Sequence, residues 1–172
     1  MEKSQLFTDA TNMPATTSQI DIAQLMRDFP DIKFAAADTF YWSAQTSTVH
    51  YCPKLLKQPR GIQQLLHEVG HALEGHLSFR SGIELLRMES EAWEAARQIS
   101  QRYNVSIDDS HVERCLDSYR DWLHLRSKCP QCQAVATETA ACQYRCFNCS
   151  NRWSVSPDQR TRCYRRSLVL SS

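Results

Sequence analysis

Apolar residues recur at helical spacing in three stretches of the chain. The stretch 61–78 places them on one face, which predicts a buried central helix. Ser81 and Glu84 then match a capping box, so a second helix is expected over 82–103. A third apolar stripe predicts a helix over 112–126. The centre of the chain is therefore helical.

A different pattern precedes these helices. Short β-prone runs at 32–34, 40–42 and 48–51 predict three strands, and the polar stretch 43–47 between the last two is typical of a hairpin loop. We therefore predict the α+β fold class, with a small antiparallel sheet packed on a helical core. We expect an extended peptide to add to the edge of this sheet near residues 47–51.

Composition places the chain among ordinary globular proteins. It has 172 residues, of which 42% are hydrophobic and 23% charged, enough for one main domain with a small appendage. It has neither an apolar run long enough to span a membrane nor the layout of a secretion signal, so we expect a soluble, cytoplasmic protein without a membrane partner. Residues 1–125 carry a net charge of −5 and residues 126–172 one of +6.

The central helix contains the sequence His67-Glu68-Val69-Gly70-His71, an H-E-x-x-H motif. Residues four apart on a helix differ by about 40° in direction, so His67 and His71 can bind one metal ion. Glu68 lies beside them, where it can take a proton from water that the metal activates. The alternative, two surface histidines on an ordinary helix, conflicts with the apolar character of this helix.

A catalytic zinc site generally needs a third protein ligand. Glu89 falls on the predicted buried face of the second helix, where a carboxylate is costly unless it is paired or bound to metal. Glu91 is the alternative third ligand, although Glu91 and Glu94 also fit a solvated face. On an extended helix His76 lies about 140° from His71, so we predict that His76 points away from the metal.

Two segments resemble the ImmA/IrrE-type zinc metallopeptidases. Residues 66–71 match the H-E-x-G-H motif of that family, and residues 89–96 match a later helix that carries E-x-E-A. The predicted hairpin at 40–51 is similar to the sheet that precedes the active helix, and the resemblance covers about residues 20–105.

This resemblance implies a gluzincin-like endopeptidase. It implies one catalytic Zn²⁺ on His67, His71 and Glu89, with Glu68 as the general base. The donor that stabilises the oxyanion is left open among Tyr41, His50 and Tyr103.

Two C-x-x-C pairs follow the helices, the first ending at Cys132 and the second beginning at Cys146. They supply four thiolates at the spacing of a zinc ribbon, which predicts a second, structural Zn²⁺. The predicted ligands are Cys129, Cys132, Cys146 and Cys149. Cys142 is a reserve ligand, and a redox pair is less favoured because no βαβ pattern accompanies the motif.

The predicted organisation is a flexible leader at 1–18, a metallopeptidase domain at 19–127, a zinc ribbon at 128–155 and a basic tail at 156–172. Arginines and aromatic residues alternate around the ribbon, so nucleic acid is a candidate partner beside a protein or peptide substrate. The alternatives are a solvated basic face and docking of the ribbon on the acidic main domain.

Two rival functions stay open. A SprT-like protease acting on nucleic-acid-bound proteins also joins H-E-x-x-H to a zinc ribbon, but that family uses a third histidine, and His76, His111 and His124 are poorly spaced for it. The other rival is a non-catalytic zinc-ribbon adaptor.

Overall fold

The computed structural model describes residues 20–157 and 162–168. Its helices are α1 (Ile22–Asp28), α2 (Pro59–Leu73), α3 (Gly82–Arg102) and α4 (Asp109–Ser127), with a short 3-10 helix at Leu55–Lys57. Its strands are β1 (Lys33–Ala36), β2 (Tyr41–Ser43), β3 (Thr48–Tyr51), β4 (Thr137–Ala140), β5 (Gln143–Arg145), β6 (Arg152–Val155) and β7 (Arg165–Ser167). The α+β fold class is confirmed. The predicted leader, residues 1–18, lies outside the described residues.

The first sheet has the order β1-β3-β2. β2 and β3 form the expected antiparallel hairpin, but β1 pairs with β3 in parallel, so the sheet is mixed. β3 lies in the centre and its backbone pairs on both sides. The expected peptide-binding edge at 47–51 is therefore wrong, because β1 and β2 form the edges.

Helix α2 forms the centre of the main core, in contact with α3, β2 and β3. Leu65, Leu66 and Val69 on its inner face are fully buried. Gly70 allows the close approach of α3, since a Cβ at this position would lie 2.3 Å from the carbonyl oxygen of Ala92. This contact brings the H-E-x-x-H residues against α3.

Helix α2 ends at Leu73, earlier than its apolar pattern indicates. Gly75 adopts a φ of +64°, and the His76 N–H donates to the His71 carbonyl at 3.0 Å. This arrangement is a Schellman motif, which terminates helices at a glycine. The chain therefore leaves the helix before Leu77, whose side chain is 77% exposed.

Helix α3 begins at the predicted cap. The Ser81 hydroxyl accepts a hydrogen bond from the Glu84 N–H at 3.2 Å, and the Glu84 carboxylate accepts one from the Arg80 N–H at 2.6 Å. The cap therefore fixes the start of the helix that carries Glu89. Within the described parts of the chain, no helix is both long and apolar enough to cross a membrane.

The C-terminal strands form an antiparallel sheet in the order β4-β5-β6-β7. β7 falls inside the segment interpreted as a basic tail, and it pairs with β6. The sheet contacts α4 through Arg126. The Arg126 carbonyl accepts a hydrogen bond from the Trp153 indole at 3.0 Å, and the Arg126 guanidinium donates one to the Ser156 carbonyl at 2.7 Å. The sheet also joins α3, since the Glu138 carboxylate accepts from the Gly82 N–H at 2.9 Å.

Candidate metal centres

His67, His71 and Glu89 converge in the core between α2 and α3, where they are 4%, 9% and 7% exposed. The two Nε2 atoms lie 3.1 Å apart. Glu89 Oε2 lies 3.2 Å from His67 Nε2, and Glu89 Oε1 lies 3.6 Å from His71 Nε2. The three residues proposed from the sequence as catalytic ligands are therefore brought together, while their role as ligands stays a prediction.

These separations fit a zinc site. Ligand atoms about 2.1 Å from zinc are separated by about 3.4 Å in a tetrahedron. The three observed separations, 3.1, 3.2 and 3.6 Å, lie close to that value. Two imidazoles and a carboxylate are also a donor set that zinc prefers when one position is left for water.

The charge of Glu89 suits a cation site. Burial disfavours its ionised form, but hydrogen bonds and charge from His67 and His71 outweigh burial and lower the pKa of Glu89 to about 2. The carboxylate is therefore ionised at neutral pH although it is buried, and the two imidazole nitrogens are directed at it.

Glu68 lies beside the cluster and has other partners. Its Oε2 accepts from the Trp42 backbone N–H at 3.0 Å, and its Oε1 accepts from Gln64 Nε2 at 2.8 Å. A residue from β2 and one from α2 thus hold the carboxylate from two sides. Glu68 is therefore a fixed carboxylate next to the His-His-Glu cluster.

His76 does not point away from the histidine pair, contrary to the prediction. Its Nδ1 lies 2.9 Å from His71 Nδ1, on the side of that ring opposite Glu89. Its Nε2 lies 3.3 Å from Glu91, which also accepts from Arg87 at 2.6 Å. The prediction assumed a continuous helix, but the Schellman turn folds His76 back onto His71. Burial and the charge of His71 lower the pKa of His76.

The remaining acidic and histidine candidates lie elsewhere. Glu91 makes the contacts just described, and Glu94 is exposed and pairs with Arg97 at 3.6 Å. His111 contacts the edge of Trp93, with ring centroids 5.7 Å apart, and His124 is exposed. Among the described residues, no histidine after His71 belongs to the metal-ligand cluster.

Two aromatic residues reach the site without having been predicted there. Trp93 is 1% exposed and stacks on His67, with ring centroids 4.3 Å apart. Tyr119 of α4 lies beside Glu89, where burial, the charge of Glu89 and a hydrogen bond to it raise the pKa of the Tyr119 hydroxyl. In the sequence, Tyr119 belongs to the apolar stripe of α4. That pattern predicts a packing residue and does not indicate a contact with Glu89.

The three candidates for the oxyanion donor, Tyr41, His50 and Tyr103, lie in two different places. The Tyr103 hydroxyl donates to Asp28 at 2.6 Å, and burial together with this bond raises the pKa of Tyr103 to about 12. Tyr41 stacks on His50, with ring centroids 4.1 Å apart, and it lines the cavity over the cluster. Of the described tyrosines, the two that line this cavity are Tyr41 and Tyr119.

That cavity has a volume of about 430 Å³. Gln64 and the motif residues form its polar floor. Its apolar wall consists of Phe40, Trp42, Leu77, Phe79, Leu85 and Met88. Leu77 and Phe79 are 77% and 41% exposed, so the rim offers apolar surface to solvent.

The second candidate centre is the cysteine cluster. The thiols of Cys129, Cys132, Cys146 and Cys149 all lie within 4.8 Å of one another. Two of the sulfur pairs are 3.5 Å apart, near the separation of about 3.8 Å in a tetrahedral zinc–thiolate site. Cys142 is not in this group and accepts from Arg126 at 3.5 Å. A hydrogen bond from Asn148 lowers the pKa of Cys132 to about 6, which favours the thiolate.

No family model matches the chain, and comparisons with curated proteins and with solved structures found no match either.

Proposed function

We propose that the protein is a zinc-dependent endopeptidase. The observation that carries the proposal is the buried triad of His67, His71 and Glu89 beside a fixed carboxylate, Glu68, which is 7% exposed. The likeness of residues 66–71 and 89–96 to ImmA/IrrE-type metallopeptidases supports the same interpretation. Zinc held by the triad would lower the pKa of a water molecule and polarise the scissile carbonyl.

Glu68 supplies the proton transfers. It accepts a proton from the attacking water as the new C–O bond forms, and it returns that proton to the amine nitrogen as the C–N bond breaks. Its contacts with Trp42 and Gln64 hold the carboxylate in one orientation throughout. Tyr119 and Tyr41 line the same cavity and are the candidates for hydrogen bonding to the developing oxyanion.

The substrate class is an extended segment of an intracellular protein. β2 is an edge strand, and its residue Trp42 donates its N–H to the general base, so a peptide beside this edge would pass the cluster without using that N–H for pairing. The apolar rim at Leu77 and Phe79 favours a bulky apolar side chain next to the cleaved bond.

The test is the variant Glu68→Gln. Zinc-loaded wild type and variant are compared on a library of fluorescence-quenched peptides, with Glu94→Gln as the control because Glu94 is exposed and outside the cavity. Loss of the base should lower hydrolysis by roughly 10²–10⁴-fold, while zinc content stays the same. Unchanged hydrolysis in Glu68→Gln would exclude this mechanism.

The number of zinc ions bound per chain distinguishes the endopeptidase from the non-catalytic zinc-ribbon adaptor. An enzyme with both centres binds two zinc ions per chain, and Cys146→Ser should leave one of them. A chain that binds a single zinc, lost in Cys146→Ser, would be the non-catalytic adaptor. A SprT-like protease is less favoured because Glu89 takes the position that a third histidine would need.

A further inference from the structure

The outer face of the C-terminal sheet carries arginines at paired positions. Arg145 of β5 lies directly opposite Arg152 of β6, and Arg166 of β7 lies opposite Ser154 of β6. Directly opposed residues on antiparallel strands point to the same side of a sheet. All three arginines are exposed. We call Arg145, Arg152, Ser154 and Arg166, together with Gln143, the arginine face.

Carboxylates are absent from this face among the described residues. Glu138 is the one acidic residue in the described parts of 128–168, and it points to the opposite side of the sheet. There it accepts from the N–H groups of Gly82 and Cys142, and its carboxylate lies 3.6 Å from Arg126. The charge of the outer face is therefore not neutralised from within the module.

The arrangement is costly in the free protein. Like charges directly opposite each other on neighbouring strands destabilise a sheet. Among the described residues, neither Arg145 nor Arg152 has an ion-pair partner. A polyanion with charges spaced along a chain would remove this repulsion and gain from the release of its counterions.

The face is also concave. A cavity of about 320 Å³ lies between Thr139, Gln143, Arg145, Arg152 and Leu168. Its hydroxyl, amide and guanidinium groups match the oxygen acceptors of a phosphate and its sugar.

Two exposed aromatic residues flank the arginines in sequence. Phe147, next to the ligand Cys146, is 76% exposed, and Tyr164 is 54% exposed. Large aromatic surfaces are costly in water, and unpaired bases stack on such rings. A duplex keeps its bases stacked inside, so these rings favour a single strand.

We propose that the arginine face binds single-stranded nucleic acid, with phosphates on Arg145, Arg152 and Arg166 and bases stacked on Phe147 and Tyr164. This surface is separate from the His-His-Glu centre, so the proposal does not depend on peptide hydrolysis.

The test is fluorescence anisotropy with a labelled 20-nucleotide single strand of mixed sequence and the corresponding duplex, titrated at several salt concentrations. The whole zinc-loaded chain is used. We expect the double variant Arg145→Gln/Arg152→Gln to bind the single strand at least about tenfold more weakly. The slope of log K against log salt should become shallower by about 1.4, since each lost phosphate contact contributes about 0.7.

The matched control is Arg114→Gln/Arg120→Gln, which makes the same change of charge at exposed positions on α4. It should bind as the wild type does. Phe147→Ala tests stacking separately, because it should weaken binding of the single strand without changing the salt slope. All variants should retain as much zinc as the wild type, including the zinc that Cys146→Ser removes, which shows that the cysteine module is folded.

Several outcomes would overturn the proposal. It fails if the wild type shows no salt-dependent binding, or if the control double variant loses as much affinity as the arginine-face variant. Tighter binding of the duplex, or full affinity in Phe147→Ala, would refute single-strand recognition. A dimer that depends on Arg145 and Arg152, without nucleic-acid binding, would assign the face to a second copy of the chain instead.

Discussion

The Nδ1 atoms of His71 and His76 lie 2.9 Å apart, so a hydrogen bond between them needs a proton on one Nδ1 and a free lone pair on the other. If His71 offers Nε2 to a metal, its Nδ1 carries the proton and donates to His76 Nδ1. The proton of His76 then sits on Nε2, from which it donates to Glu91. Arg87 donates to the other oxygen of Glu91, so four side chains form one hydrogen-bonded series in which Glu91 accepts from both sides.

We predict from this series that His76→Ala weakens metal binding at the His-His-Glu centre. Loss of such a partner typically costs about 10- to 100-fold in metal affinity, because the ligand ring is no longer oriented. Competition with a chelator measures this, and the cysteine zinc serves as an internal reference. His76→Gln should recover part of the affinity, since its amide oxygen can accept from His71. Equal affinities in wild type and His76→Ala would contradict the role.

Most of the fold could be predicted because it follows from local periodicity. The three early strands, the helices and the cysteine pairs each have a pattern that spans only a short stretch of sequence. Glu89 could be preferred to Glu91 for a similar reason, since helix phase places Glu89 on the buried face, where a carboxylate is costly unless it is paired or bound to metal.

The contacts that the sequence did not predict depend on where elements end and meet. His76 was misplaced because Gly75 ends α2, and a glycine that terminates a helix is not distinguished by apolar spacing. Tyr119 lies on α4, the helix that follows the one carrying Glu89, so only the packing of α4 on α3 reveals its contact. The central position of β3 is likewise a tertiary outcome, because each strand alone could form an edge.

The third ligand can be tested with two neighbouring variants. Glu89→Ala should remove zinc from the His-His-Glu centre and leave the cysteine zinc in place, because Glu89 alone supplies its oxygen donor. Glu91→Ala should retain both ions at saturating zinc, since the partners of the Glu91 carboxylate among the described residues are His76 and Arg87. Bound zinc per chain, measured by mass spectrometry of the native protein, decides between them. Loss of the ion only in Glu91→Ala would reverse the assignment.

Two tyrosine variants test the proposed oxyanion donor. Tyr119→Phe should lower peptide hydrolysis roughly tenfold or more at equal zinc content, because Tyr119 lines the cavity and its hydroxyl lies beside Glu89. Tyr103→Phe is the matched control, since it removes the same atom from a hydroxyl that is bonded to Asp28. Its kcat should stay close to that of the wild type. An equal loss in both variants would point to a general effect on stability instead of a contact with the substrate.

Two ion pairs with the same N···O separation of 3.6 Å differ in burial and in the other bonds of their carboxylates, since Glu138 also accepts from the N–H groups of Gly82 and Cys142. In the pair of Arg126 and Glu138 the side chains are 2% and 11% exposed, whereas in the pair of Arg97 and Glu94 they are 35% and 63% exposed. Glu138→Ala leaves the Arg126 guanidinium buried without its carboxylate and should lower the free energy of unfolding by about 3 kcal/mol.

Glu94→Ala should change the same quantity by no more than about 0.5 kcal/mol, because water already screens that pair. Urea unfolding of the zinc-loaded variants measures both values. The additional variant Arg126→Met in the Glu138→Ala background should restore part of the loss, since it removes a buried charge that no longer has a counter-charge. The recovery is partial because Met also lacks the hydrogen bond that Arg126 donates to the Ser156 carbonyl. If Glu138→Ala were as mild as Glu94→Ala, the C-terminal module would not depend on this ion pair for its attachment to α3 and α4.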